Sequence, residues 1–367
     1  MKSRIILVGG FLGSGKTTLL WETAKALTKS NLKIGLITND QASELVDTAV
    51  LEKTGVATSE ISGSCFCSNF NGFKTALKKQ LEDHKSEIIM AESVGSSTDL
   101  SAAIIQPLKK QFGDTFDIAP LNVLVEPKHL NHILHGTQTD LHSSAAYIIR
   151  KQLEEADHIV INKTDLVSKH QLAKLREDVI SEFPKAKVYC MSTQTGEGIE
   201  TWINDNLNSN ASGTHIAQID YDIYAEGEAV LGVLNATVTL QSNHPDWNSY
   251  LKHLLKSLGK RFDTGNVTVG HIKAFIDTDK YYLIGNITGK ANTLQLRGKV
   301  PKRSIVKMTL NARVQMAPHE LEMIFREELE KNSHDVHYYI DVLKCLQPRR
   351  PIPTYRYARI ISAAEQK

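Results

Sequence analysis

Apolar residues fall along this chain in two kinds of block. Short, mostly apolar runs at Ile5–Val8, Leu32–Ile37, Glu87–Ala91, Leu121–Val125 and His158–Ile161 alternate with longer stretches in which apolar residues return every three or four positions. A short apolar run without strict alternation marks a strand buried on both faces, and the 3.6-residue spacing marks a helix with one buried side. Helices are therefore expected at Thr17–Lys29, Phe73–Leu81, Ala145–Glu155 and Lys169–Glu182, a short helical piece at Val46–Glu52, and further strands at Ala57–Ile61 and Lys187–Met191. Strand and helix in regular succession imply a doubly wound, mostly parallel α/β sheet.

The pattern changes at Asn204–Thr214, where Asn, Ser and Gly crowd together. Beyond it come a Val-, Leu- and Thr-rich strand at Glu228–Gln241, a helix at Asp246–Leu258, paired strands at Thr268–Thr278 and Tyr281–Ile287, a strand at Ser304–Asn311 and a helix at Pro318–Lys331. That order reads as a smaller α+β domain with helices on one face of its sheet. The expected division is a first domain over 1–207, a linker over 208–214, a second domain over 215–345 and an extended Pro-, Arg- and Tyr-rich tail over 346–367.

Composition adds limits. The 367 residues carry a formal net charge of +2, with 41% hydrophobic and 23% charged residues, an ordinary globular balance that asks for neither nucleic acid nor an anionic membrane as partner. No apolar run approaches the roughly 18 residues of a membrane span, and the first is cut short by Gly9 and Gly10, unlike a signal peptide. Four cysteines make no disulfide framework in so long a chain, so reduced thiols and a cytoplasmic location are expected.

Chemistry enters at Gly10-Phe11-Leu12-Gly13-Ser14-Gly15-Lys16-Thr17-Thr18, which fits G-x-x-x-x-G-K-[ST] and joins the first strand to the first helix. Backbone amides of Gly13, Ser14 and Gly15 and the helix N-terminus carrying Thr18 suit phosphates, Lys16 suits the β/γ-phosphates, and the Thr17 hydroxyl suits Mg²⁺. Asn162-Lys163-Thr164-Asp165 closes a later apolar strand. A carboxylate there accepts the N1–H and 2-amino hydrogens of guanine, which adenine cannot offer, and the turn opened by Ser192 is a candidate second wall of the base pocket. Asp40, Asp47 and Glu92 are candidates for Mg²⁺ and the attacking water, Glu92 foremost and acting through water. Glu92 and Glu126, both at strand tips, suit a metal–phosphate site. Cys65-x-Cys67 either shares a soft metal or packs as two small thiols, since two ligands make half a tetrahedral site.

With these residues in place the chain resembles the CobW-type P-loop GTPases. The likeness rests on the phosphate loop at 10–18, Thr-Asn-Asp at 38–40, Gly-Ser-Cys-Phe-Cys-Ser at 63–68, Glu-Ser-Val-Gly at 92–95 and Asn-Lys-Thr-Asp at 162–165. It implies slow GTP hydrolysis with Lys16, Asp47 and Glu92 as catalytic residues, GTP and Mg²⁺ as cofactors, and delivery of Zn²⁺ or Co²⁺ to a client metalloprotein, with a homodimer admissible. Three departures stand out: Ser68 replaces a third cysteine, the switch segment reads Asn-Asp-Gln-Ala-Ser-Glu-Leu-Val-Asp, and the tail has no histidine-rich metal store. These departures, with Ala225-Glu226-Gly227-Glu228-Ala229, look like a branch that accompanies corrinoid-dependent methyl transfer, which implies a corrinoid protein as client. The competing expectation is a GTP-dependent binding module for a methyltransferase or corrinoid protein that carries no metal itself.

Overall fold

A computed structural model describes residues 2–40, 46–137, 141–278 and 280–365, the side chains of Asp40 and Ala363 excepted. The chain forms two compact units, one of Met1–Gln41, Leu51–Gly227 and Arg350–Lys367, the other of Ala42–Val50 and Glu228–Arg349.

The elements up to the division are β1 (Ser3–Gly10), α1 (Lys16–Thr28), β2 (Ile34–Asp40), α2 (Val46–Glu52), β3 (Ala57–Ser62), α3 (Phe70–Glu82) and β4 (Ile88–Glu92). A π-helical turn at Ser101–Ile105 then runs into α4 (Gln106–Phe112). There follow β5 (Phe116–Ile118), β6 (Asn122–Val125), α5 (Pro127–His135), α6 (Ser143–Glu155), β7 (His158–Ile161), α7 (Lys169–Glu182), β8 (Lys187–Cys190), α8 (Ile199–Asn208) and α9 (Tyr221–Ala229). The strands lie in the order β3-β2-β4-β1-β6-β7-β8, with β5 also on β1, and all pair in parallel. Ile5, Ile6, Leu7 and Val8 are fully buried because β1 sits mid-sheet with apolar side chains on both faces. Parallel pairing puts the ends of β1, β2, β4, β6 and β7 at one edge, where such sheets bind ligands.

The expected linker at 208–214 is not one. Its residues are tied down: the Arg4 guanidinium donates to the carbonyls of Asn206 and Ser209 and to Asn210 Oδ1, and the Asp157 carboxylate accepts from the amides of Gly213 at 2.6 Å and Thr214 at 2.8 Å. The first unit continues to Gly227, where α9 meets α6 so closely that a Cβ would lie 2.7 Å from Ser144 O. This is what the glycine of Ala225–Ala229 allows.

The second unit holds β9 (Gly232–Gln241), α10 (Trp247–Thr264), β10 (Val269–Thr278), β11 (Tyr281–Ile287), β12 (Gln295–Gly298), β13 (Ile305–Val314), α11 (Pro318–Lys331) and β14 (His337–Leu346). Its strands form an antiparallel sheet in the order β12-β11-β10-β13-β9-β14. Leu251, Leu254, Leu258 and Phe262 of α10 and Leu321 and Phe325 of α11 share a core with Ala236, Val238, Ile272, Ala274 and Leu310. The expected helices on one face are thus present. The second unit also holds an unexpected strand, His337–Leu346 paired with β9, and of the expected tail the residues from Arg350 onward belong to the first unit.

Candidate functional site

The phosphate loop is drawn tight against the sheet. Gly10, Gly13 and Gly15 adopt φ of 125°, 75° and 99°, a region that side chains other than glycine's enter at a cost. A Cβ on Gly10 would meet Leu124 O at 2.2 Å and one on Gly15 would meet Asn162 Nδ2 at 2.3 Å. Ser14 is buried, and the Lys16 ammonium folds over the loop, donating to Gly10 O at 2.8 Å and Phe11 O at 3.3 Å. Thr17, in the first turn of α1, donates through Oγ1 to Glu92 Oε1 at 3.0 Å; Glu92 ends β4 and is buried. Thr18 follows on the same turn, half-buried. The structure therefore brings Lys16, Thr17 and Glu92 to one place from two strand ends.

Asn162 joins the other side of the site to the loop. Its Nδ2 donates to Ser14 O at 2.7 Å and to Thr193 Oγ1 at 3.2 Å, and its Oδ1 accepts from the Thr193 amide at 3.0 Å. Lys163 takes a left-handed conformation with φ 60°, which turns the chain into a single 3-10 turn at Thr164–Leu166. Asp165 lies on that turn and accepts from Ser192 Oγ at 2.5 Å. Ser192, at the end of β8, also accepts the Thr195 amide, so the turn after β8 and the Asn-Lys-Thr-Asp turn face one another.

Three expectations meet a different geometry. Asp47, expected at the metal and water, is held within the second unit by Lys273, whose Nζ donates to both carboxylate oxygens at 2.7 and 2.8 Å, while the Val46 amide donates to Asn311 Oδ1. The opposite charge of a lysine presented by β10 accounts for the difference. Glu126, expected with Glu92 at a metal–phosphate site, instead accepts from Lys163 Nζ at 2.6 Å. Cys65 and Cys67, expected as reduced thiols, are joined to each other, because a tight turn brings their Cα atoms to 5.3 Å, within disulfide reach. Cys190 and Cys345 are free thiols. No group of three or more His, Cys, Asp or Glu able to hold a metal occurs among the described residues. The Asp40 side chain and residues 41–45 of the switch segment lie outside the described residues.

Residues 4–190 match the family described as CobW/HypB/UreG, nucleotide-binding domain. The chain belongs to this family. Among curated relatives, the zinc chaperone YeiR of Escherichia coli strain K12 is 29% identical over 171 residues, 44% of this chain and 47% of YeiR, so the chain spans about half the length of that relative. Among solved structures, HypB from Helicobacter pylori in complex with nickel is 22% identical with a TM-score of 0.41, covering 59% of this chain and 90% of its own. Zn(II)-bound YjiA GTPase from E. coli is 15% identical with a TM-score of 0.37, covering 89% and 99%.

The sequence motifs point to Asn39 and Ser68 but not to their partners, and Asp99 and Arg356 are not singled out at all. Asn39, in the Thr-Asn-Asp motif, donates to Ile61 O at 3.0 Å and Ser64 O at 2.7 Å and accepts from the Phe66 amide at 2.9 Å, so it fastens the cysteine loop to β2. The Ser68 hydroxyl accepts the Ile352 amide at 3.2 Å, and the Thr354 amide donates to Cys67 O at 2.8 Å. Arg356 Nε donates to Asp99 Oδ2 at 2.7 Å, at the far end of the loop that follows Glu92. Long-range partners of this kind leave no local periodicity to find. No helix among the described residues is long and apolar enough to cross a membrane.

Proposed function

We propose that this chain binds and slowly hydrolyses GTP and uses the cycle to hand a metal ion or metal-containing cofactor to a client protein. The bond from Asn162 Nδ2 to Ser14 O carries the reading, because it couples a turn with guanine-selective chemistry to a phosphate loop. On this reading Gly13, Ser14, Gly15 and Thr18 bind phosphate through backbone and helix end, and Lys16 turns from the loop carbonyls to the β/γ-phosphates. Asp165, oriented by Ser192, reads the guanine edge, and Lys163 flanks the base. Thr17 and Glu92 are hard oxygen donors 3.0 Å apart, a set that fits Mg²⁺. Mg²⁺ bound there would screen the phosphate charge.

The likeness to a zinc chaperone supports the metal half of the proposal. The cysteine loop favours the second reading, a GTP-dependent binding module that carries no metal itself. Cys65 and Cys67 are bonded to each other, and the Ser68 hydroxyl is engaged by a tail amide. That donor set does not fit Zn²⁺ or Co²⁺. The client is a metalloprotein or corrinoid protein on the first reading and a methyltransferase or corrinoid protein on the second.

Turnover with GTP and ATP tests the core of the proposal. A site that pairs a donor can reject the analogue lacking it by roughly 10⁴, so GTP should be strongly preferred, and Asp165→Asn should turn the preference toward xanthosine triphosphate. Equal use of ATP by the wild type would sink the guanine reading. Client capture that needs GTP but ignores chelators would select the second reading over the first.

A further inference from the structure

Glu126 occupies the N-cap of α5 and does not cap it. Residues at this position usually turn a short oxygen-bearing side chain back to their own helix amides, and Pro127 follows at the first helical position, but no such side-chain bond forms. The carboxylate reaches across to the neighbouring strand tip instead. Because β6 and β7 pair in register with Val125 opposite Ile161, residue 126 lies beside the start of the Asn-Lys-Thr-Asp turn. Its Oε2 accepts from Lys163 Nζ at 2.6 Å, with side-chain exposures of 17% for Glu126 and 22% for Lys163.

The other oxygen faces the phosphate loop by way of a histidine. His129, in the first turn of α5, places Nδ1 3.4 Å from Glu126 Oε1. The same ring meets the buried Phe11 of the phosphate loop edge-on, with centroids 5.9 Å apart and planes at 83°. The carboxylate thus holds the Lys163 ammonium at this edge of the sheet. Burial alone would raise the Glu126 carboxyl, but Lys163 and His129 outweigh it and hold it below the ordinary range, so it is charged near neutrality.

We infer that Glu126 is a positioning residue for nucleotide binding: it fixes Lys163 so that the lysine stem forms one rigid wall of the base pocket, and His129 ties that wall to Phe11 of the phosphate loop. This rests on the guanine reading above. A wall acts on the base and not on the reacting phosphates, so its loss should weaken binding without slowing the chemical step. It also does not touch the groups that tell one purine edge from another.

Steady-state turnover of the full chain, with thermal unfolding as a fold check, tests the inference. Glu126→Gln should raise KM for GTP by roughly tenfold, as expected when one partner of a partly exposed charge pair is removed, at unchanged kcat. The preference for GTP over inosine and xanthosine triphosphates should be unchanged, in contrast to Asp165→Asn. Lys163→Met should raise KM as well, and adding Glu126→Gln to it should raise KM no further, since the carboxylate acts through the lysine. Should Glu126→Gln not fold, Glu126→Asp keeps the charge on a shorter arm and should give a smaller rise at unchanged kcat. A folded, GTP-selective Glu126 variant with wild-type KM overturns this inference alone, as does an additive double variant or a fall in kcat at constant KM. A wild type that binds ATP as well as GTP overturns the guanine reading and this inference with it.

Discussion

Stability should fall as pH rises from 6.5 to 8, and Glu155 should be the cause. Its side chain, at the end of α6, is 0% exposed; Oε2 accepts from the Ser101 amide at 2.8 Å and Oε1 from Thr98 Oγ1 at 2.9 Å. Burial, then the neighbouring Asp99, push its carboxyl from 4.5 up to about 8. The unfolded chain gives up this proton near 4.5 while the folded chain keeps it to about 8, so the folded state holds one more proton across that window and loses stability as pH climbs. His158 works the other way at the acid end. Burial pushes it from 6.5 down to about 4, so the unfolded state binds the extra proton there and stability rises with pH up to 6.5. These slopes oppose one another below 6.5, where buried His129, also pushed down, adds to the rise, and above it the Glu155 slope remains, with the raised Asp99 carboxyl acting in the same sense. At about 1.4 kcal/mol per pH unit, the fall between 6.5 and 8 should be about 2 kcal/mol. Glu155→Gln, whose amide oxygen can accept from Ser101 while Nε2 donates to Thr98, should flatten that limb. Urea unfolding followed by fluorescence reports on it: Trp21 and Trp202 lie in the first unit, and replacing Trp247 by Phe silences the second. A wild-type stability that is level or rising over this range, parallel to the variant's, would refute the reasoning.

Lys16→Ala should lower GTP affinity by about ten- to a hundredfold, the worth of a charge-assisted bond or two, while circular dichroism stays unchanged; undiminished turnover would end the phosphate-loop reading. Ser68→Cys in reduced protein should gain a thiolate charge-transfer band on Co²⁺ addition that the reduced wild type lacks, because a third sulfur completes an open site. Cys65→Ala with Cys67→Ala should abolish that band, and its persistence would place the metal elsewhere.

Periodicity made most of the architecture readable, because burial imposes it directly. The helix at Lys169–Glu182 and the strand at His158–Ile161 stand where their apolar spacing predicts them, and the phosphate loop needed only its glycines. Asn204–Thr214 misled because composition reports what a segment could do in water, not what grips it. The hold exerted by Arg4 and Asp157 comes from residues distant in sequence. The strand His337–Leu346 was missed for a related reason, since its residues are only half-buried or exposed and its pairing with β9 supplies the order that its own pattern lacks. At the candidate site, the motifs located Lys16, Thr17, Glu92, Asn162 and Asp165, but not the work of their side chains. Asn162 binds Ser14, Glu126 binds Lys163 and Asp47 binds Lys273, and each pairing depends on a partner that spacing cannot nominate.

Ser68 and the tail are one feature in three dimensions. Ser68, which stands where the resembled family has a third cysteine, and the Pro-, Arg- and Tyr-rich tail look unrelated when read along the chain. In the fold the Ser68 hydroxyl accepts the Ile352 amide, the Ser68 carbonyl accepts from the Thr354 hydroxyl, and Tyr355 meets Phe70 edge-on at 5.3 Å. A hydroxyl is well suited to this use, since it accepts an amide hydrogen bond more strongly than a thiol and resists deprotonation near neutral pH. Two residues beyond Thr354, Arg356 pairs with the buried Asp99, so the same segment is fixed at the cysteine loop and at the loop after Glu92. Removing the arginine leaves a buried carboxylate without its cation, which is costlier than losing a surface pair. The tail is therefore bound as part of the nucleotide domain, and the Ser68 hydroxyl supplies an acceptor for its backbone there.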